Sequence, residues 1–119
     1  MVCAVQLQID QTRTPEGIVV IRLAGRLMLG PESQRIETLV ADEIGKGERK
    51  FVIDATGVTH VDSTGIGRFI SALNRVMQVG GTLVMAGAEG VVREGFRVTR
   101  LDTIFQFFPD VEAARKAIG

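Results

Sequence analysis

Asp62, Ser63 and Thr64 set a carboxylate and two hydroxyls side by side, directly before Gly65-Ile66-Gly67. Hydrolysis, metal binding and phosphate binding could each use such groups. A Ser-His-Asp hydrolase needs a base, and His60 is the only histidine. It stands in the same connection as Ser63, and the strained G-x-S-x-G elbow that presents a nucleophilic serine is missing. No cysteine or carboxylate lies at ligand spacing around His60, and Cys3 is the only cysteine, so no metal site is expected. His60 reads as an ordinary surface or loop histidine. Neither G-x-x-x-x-G-K-[ST] nor G-x-G-x-x-G is present, which removes the loops that cradle nucleotide phosphates.

Asp54 is a second candidate, because it ends the apolar run Phe51-Val52-Ile53, where two-component receivers carry a phosphoacceptor aspartate. A receiver also needs acidic residues after its first strand and a lysine after its last. Here the first strand supplies Asp10 alone, and no lysine follows Phe108 until Lys116. Asp54 therefore reads as a turn-former accepting backbone hydrogen bonds. For Asp62-Ser63-Thr64 the plain reading is a helix N-cap, whose side-chain oxygen accepts an unpaired N–H of the first turn. One such residue suffices, yet three run together before two glycines. Each glycine costs about 1 kcal/mol in a helix interior. Each also leaves the backbone uncovered, so that another protein could approach Ser63 closely.

The elements that must position these residues follow from periodicity. Ile66, Phe69, Ile70, Leu73, Val76 and Met77 recur at helical spacing and predict one buried stripe on a helix ending at Gly80-Gly81. Val5 to Asp10 alternates as a strand, and Arg13 to Gly17 is a turn. Ile18 to Ala24 is the second strand of an antiparallel hairpin. Pro31 opens a helix to Ile44 with Ile36, Leu39, Val40 and Ile44 inward, and Gly45 or Gly47 stops it. Lys50 to Asp54 reads as a strand covered on both faces, and Thr82 to Ala86 as a strand parallel to it. Glu89 to Val98 is a third helix and Ile104 to Phe108 a last strand. Asp110 then caps a final helix with Val111, Ala114 and Ile118 inward. The order ββαβαβαβα predicts an α/β fold, a mixed sheet of about five strands flanked by about four helices.

Composition narrows the class. At 119 residues, 1–119 reads as a single domain able to bury roughly two-thirds of its unfolded surface. Fourteen basic residues balance fourteen acidic ones, which speaks against a nucleic-acid partner. A lone cysteine suits a reducing cytoplasm. No apolar run approaches the ~20 residues needed to span a bilayer, and no signal-peptide pattern opens the chain.

At Asp54, Val58 and then Asp62-Ser63-Thr64-Gly65-Ile66-Gly67, the chain resembles the STAS domains of anti-sigma factor antagonists. Their signature runs from a strand-ending aspartate to D-S-[ST]-G-[LI]-G. Gly80-Gly81, Thr82 to Met85, Val92, Phe96, Leu101, Phe105 and Asp110 to Ile118 extend the resemblance over nearly the whole chain. It implies a STAS-like fold and no enzyme activity or cofactor of its own. It also implies phosphorylation at Ser63, with Thr64 the lesser candidate, by a partner that is both anti-sigma factor and serine kinase. The unphosphorylated domain binds that partner and frees a sigma factor, and a PP2C-type phosphatase resets it. ATP and magnesium belong to the partner. Asp62, Ser63, Thr64, Gly65, Ile66, Gly67, Arg68 and Met28 are the implied contact residues, and a homodimer or larger complex is possible.

Three positions depart from the pattern. Met28 follows Gly25-Arg26-Leu27 where the family carries an acidic residue, which implies altered partner contacts or altered phosphorylation. His60 takes the place of an aromatic, and Arg100 that of a glycine before Leu101. Arg68 and Arg75 read as solvated helix charges that could also meet an acidic partner. The competing expectation is a scaffold STAS domain that is never phosphorylated, stressosome-like or accessory to a lipid transporter.

Overall fold

The computed structural model describes residues 7–27, 31–88, 90–100 and 103–119. Readings placed on Cys3, Val5, Met28, Glu89 and Leu101 lie outside them. The elements run β1 (Leu7–Arg13), β2 (Ile18–Leu27), α1 (Pro31–Gly45), β3 (Lys50–Val61), α2 (Ser63–Gln78), β4 (Thr82–Ala86), α3 (Val91–Val98), β5 (Phe107–Phe108) and α4 (Val111–Ile118). The ββαβαβαβα order and the mixed five-strand, four-helix fold are those expected.

The strands lie in the order β1-β2-β3-β4-β5. β1 is antiparallel to β2, and every later neighbour pair is parallel. Alternation along the strands divides the apolar residues between two layers. Val19, Ile21, Leu23, Phe51, Ile53, Leu83 and Met85 face α1, α2 and α3 in the main core. Ile18, Val20, Val52, Val84 and Ala86 face the smaller layer under α4. Both faces of β3 and β4 are thus covered, as a parallel sheet requires.

Helix α2 lays Ile66, Phe69, Ala72, Leu73 and Val76 on the sheet. Phe69 stacks on Phe96 of α3 at a centroid distance of 5.6 Å. Truncating a fully buried phenylalanine costs about 3–5 kcal/mol, so Phe69 is a principal anchor of α2, together with Ile66, Ala72, Leu73 and Val76. The expected stripe is too wide around the helix: Met77 is 62% exposed and Ile70 only partly buried, while Val76 is fully buried. Helix α2 ends as the glycine pair predicts. Gly80 has φ 75° and its N–H donates to the Met77 carbonyl, while the Gly81 N–H donates to the Val76 carbonyl. That paired closure satisfies carbonyls the last turn would otherwise leave open.

Three expectations are corrected. β3 does not stop at Asp54 but continues to Val61 beside β2, with register shifts between Arg22 and Ala24 and between Gly25 and Arg26. Each shift absorbs one extra residue of β3, which bends the strand and breaks its alternation. The last strand shrinks from Ile104–Phe108 to two residues, because residues 103–105 form a turn instead. In α1, Glu43 is buried at 3% exposure, one turn beyond Val40 on the inner face, while Leu39 is only half-buried.

Glu43 is tolerated there because it is paired. Arg13 donates to it at 2.7 Å and Lys46 at 3.3 Å. Burial alone would push its carboxyl pKa up. Hydrogen bonds from Gln11, Arg13 and Lys46 outweigh that and hold it below the usual carboxylate value.

Candidate functional site

Ser63 is delivered by the extended end of β3. The Asp62 N–H donates to the Leu27 carbonyl of β2 at 3.3 Å, which anchors the strand-to-helix junction. Asp62 keeps an extended backbone, and its Oδ1 accepts from the Gly65 N–H at 2.8 Å. This is an N-cap in full, and Asp62 makes it. Ser63 is the first helical residue and is exposed, whereas Thr64 is half-buried.

The two glycines that follow are glycines for different reasons. A Cβ at Gly65 would overlap the Leu27 carbonyl and lie 2.9 Å from the Leu27 Cγ. Gly65 is therefore a requirement of internal packing between α2 and the end of β2, and the expectation that it leaves backbone open to a partner is corrected. A Cβ at Gly67 would meet nothing within 4 Å. Ile66 is buried, and Gly95 of α3 approaches it so closely that an added Cβ would sit 3.1 Å from the Ile66 Cδ1. The side of the helix start that faces outward is thus Ser63 with Gly67 one turn on.

Charge around this helix start is balanced within the fold. Arg68 donates to Glu37 of α1 at 2.9 Å, and Arg75 lies 4.0 Å from the same carboxylate. The two arginines read as solvated helix charges therefore clasp α1 to α2 through one glutamate. Apart from the cap, the first turn of α2 carries no acidic side chain. The positive end of its dipole is open to an added negative group.

The remaining candidates fall elsewhere. Asp54 sits within β3, nearly buried. Its Oδ1 accepts from the Thr56 N–H at 3.0 Å and the Thr56 hydroxyl at 2.6 Å, and its Oδ2 accepts from Arg22 at 3.2 Å. It does accept a backbone hydrogen bond, at a register shift rather than in a turn. His60 is exposed on β3. The Thr59 hydroxyl lies 3.2 Å from the Gly25 carbonyl and 2.9 Å from the His60 Nδ1, within hydrogen-bond reach of both. Arg100, at the position where a glycine is usual in the pattern, holds a left-handed backbone with φ 61°. Among the described residues no three His, Cys, Asp or Glu side chains are placed to hold a metal ion. None of their helices is long and apolar enough to cross a membrane.

Leu27, Glu37 and Thr56 are the residues that sequence reasoning missed. Leu27 offered no signal, since it acts through a carbonyl. Glu37 could have been found, because its helix and α2 both present charge on their non-core faces.

The STAS domain model matches residues 11–114. The candidate anti-sigma factor antagonist BtrV of Bordetella bronchiseptica is 28% identical over 102 residues, which cover 86% of this chain and 87% of BtrV. A crystal structure of a candidate anti-sigma factor antagonist from Thermotoga maritima superposes with a TM-score of 0.83. Its identity is 19% over 92% of this chain and 93% of that one. The Bacillus cell fate determinant SpoIIAA, in its phosphorylated form, superposes with a TM-score of 0.76 at 18% identity, over 94% of this chain and 100% of that one. At such identities the superpositions speak for the fold.

Proposed function

The chain belongs to the STAS domain family, and on that premise we propose that it is an anti-sigma factor antagonist whose binding is switched by phosphorylation of Ser63. The whole of residues 1–119 acts as one such domain. Its partner is an anti-sigma factor with serine-kinase activity, a PP2C-type phosphatase restores the free hydroxyl, and all of them work in the cytoplasm. The domain itself catalyses nothing; ATP and magnesium come with the kinase. BtrV, over most of its length, supports the antagonist reading.

The observation that carries the proposal is the division of labour at the start of α2. Asp62 makes the cap, so the exposed Ser63 hydroxyl is not needed to hold the helix. Phosphorylation would add about −1.5 to −2 charges there. At a helix N-terminus that charge is favourable by roughly 0.3–1 kcal/mol, so the fold accepts it. Beside the Asp62 carboxylate that charge is tolerated while water screens both groups; against a docked protein it loses its water and the screening, at a cost of several kcal/mol. Since ~1.4 kcal/mol is tenfold in affinity, one phosphate is enough to release a partner. Asp62, Thr64, Gly67 and Arg68 surround Ser63 in the proposed contact face; Gly65 and Ile66 support it from beneath. Met28 belongs to the same proposal and lies outside the described residues.

The test is incubation with the cognate kinase and ATP, followed by mass-spectrometric location of the phosphate. Transfer to Ser63, lost in Ser63→Ala, is the expected result. Transfer that persists in Ser63→Ala moves the site elsewhere. No transfer, with the protein isolated in a stable large complex, favours the unphosphorylated scaffold.

A further inference from the structure

The sheet ends differently at its two edges: β5 contributes two residues and β1 seven. The ladder from β1 to β2 keeps one register from Leu7 opposite Gly25 to Arg13 opposite Val19. Just beyond it, the Thr14 N–H donates to the Ile18 carbonyl at 2.9 Å. In antiparallel pairs, residues alternate between directing both backbone groups at the neighbouring strand and turning both away. Counting back from Thr14, the residues Thr12, Asp10 and Gln8 face β2. Leu7, Ile9, Gln11 and Arg13 turn their N–H and C=O groups to the open edge. No described strand pairs with that edge. Beside it lies a cavity of about 430 Å³, lined by Leu7, Gln8, Ile9 and Asp10 of the strand and Arg35 of α1.

We propose that this edge pairs with β1 of a second copy of the chain, antiparallel, about a two-fold axis through Ile9. An open row of backbone donors and acceptors is a template for another strand. Charge selects the register. Centring the pair on Asp10 would set two Asp10 carboxylates opposite one another in the narrow pair, with Cα atoms about 4.5 Å apart, and like charges so placed are destabilising. Centring it on Gln11 sets Ile9 against Arg13, whose guanidinium is held by Glu43 at 2.7 Å and Glu48 at 3.1 Å. That register also sets Leu7 against Pro15, which has no N–H to give.

Centring it on Ile9 packs Ile9 on Ile9, sets Leu7 opposite Gln11 and Gln8 opposite Asp10, and places no like charges directly opposite; the two Asp10 residues become diagonal neighbours, about 7–8 Å apart. All the outward backbone groups of Leu7, Ile9 and Gln11 then find partners. The two β1 strands become the middle of a ten-stranded sheet. β3, whose end carries Ser63, stays two strands away from the junction in each copy, so the pairing is independent of the switch proposed above.

Sedimentation of the full chain over a range of concentrations should give twice the 12.9 kDa chain mass at the high end. Gln11→Pro removes an outward N–H and leaves the ladder to β2 intact. It should move the monomer–dimer midpoint to roughly tenfold higher concentration or more with an unchanged circular dichroism spectrum. Gln11 also holds Glu43, so a second variant guards against a folding failure. Ile9→Cys in a Cys3→Ser background places two thiols across the axis, with Cα atoms about 5.5 Å apart and within disulfide reach. It should cross-link on mild oxidation, while Thr12→Cys in the same background should not. A monomer at every concentration, or equal cross-linking at both positions, overturns the proposal.

Discussion

Helices α2 and α4 are capped alike. Asp62 accepts from the Gly65 N–H and Asp110 from the Ala113 N–H, each at 2.8 Å, and both aspartates have extended backbones. The next three residues are Val-Glu-Ala in α4 and Ser-Thr-Gly in α2. In α4 they do what a helix start ordinarily asks: Glu112 complements the dipole, and alanine at the third position is a good helix former. In α2 the same positions hold an exposed hydroxyl, a half-buried one and a glycine. α4 shows that a cap needs none of these. Gly65 is accounted for by the Leu27 carbonyl beneath it. Ser63 and Gly67 have no such internal reason, and that remainder is what the proposed function uses.

The largest effect that sharpens this comparison is expected at Gly65. Gly65→Ala forces a methyl into the Leu27 backbone and should destabilise the fold by about 3 kcal/mol, read by denaturant unfolding. A neutral Gly65→Ala would mean the glycine is not held by packing. Removing either cap, by Asp62→Ala or Asp110→Ala, should cost about 1 kcal/mol. The two losses should be alike in stability, but only Asp62→Ala should disturb partner binding. Gly67→Ala should stabilise the fold by up to ~1 kcal/mol in the same experiment, since its Cβ meets open space. Destabilisation there would point to an internal contact.

Acid should separate the helices in another way. Hydrogen bonds from Arg115 first, then Thr14, hold the Glu16 carboxyl at about 2 instead of 4.5, and Arg115 carries the pairing to α4. A carboxyl depressed in the folded state contributes stability that is present above its unfolded value. That stability fades as pH falls from about 4.5 towards 2. Glu43, also held low, loses its contribution in the same direction. Glu16 is exposed, so its share should be small and weakened by salt. Glu16→Gln should make the acid limb of a pH–stability curve shallower without affecting α2. The smallest stability effect should be at Ser63 itself: Ser63→Ala is expected within about 0.5 kcal/mol of the parent, while removing the proposed phosphoacceptor.

Much of the fold was legible because periodicity and punctuation agreed. The α2 stripe, its glycine stop and the Asp110 cap are each local signals with a single physical cause. Ser63 stood out by another route, the resemblance of Asp62-Ser63-Thr64-Gly65-Ile66-Gly67 to the STAS signature. What was hidden depended on tertiary contacts. Residues 55–61 lost their strand signature because two register shifts break the alternation that a sequence pattern relies on. Met77 looked inward by spacing, but it lies at the margin of the stripe: Val76 beside it is fully buried while Met77 is turned to solvent. Glu43 sits three residues after Val40, so helical period placed it inward, yet a charge is not expected in a core until Arg13 and Lys46 are seen beside it. Gly65 was read as an opening for a partner because Leu27, thirty-eight residues away in sequence, acts through its backbone.

The central claim is that phosphate on Ser63 changes a surface and leaves the fold alone. It is tested most directly by titrating one anti-sigma partner with the unphosphorylated protein and with the stoichiometrically Ser63-phosphorylated protein. Circular dichroism and thermal unfolding are recorded on both forms. The prediction is binding weakened about tenfold or more, with spectra and unfolding midpoints that nearly coincide. Equal affinities, or weakened binding accompanied by loss of helix, would contradict it.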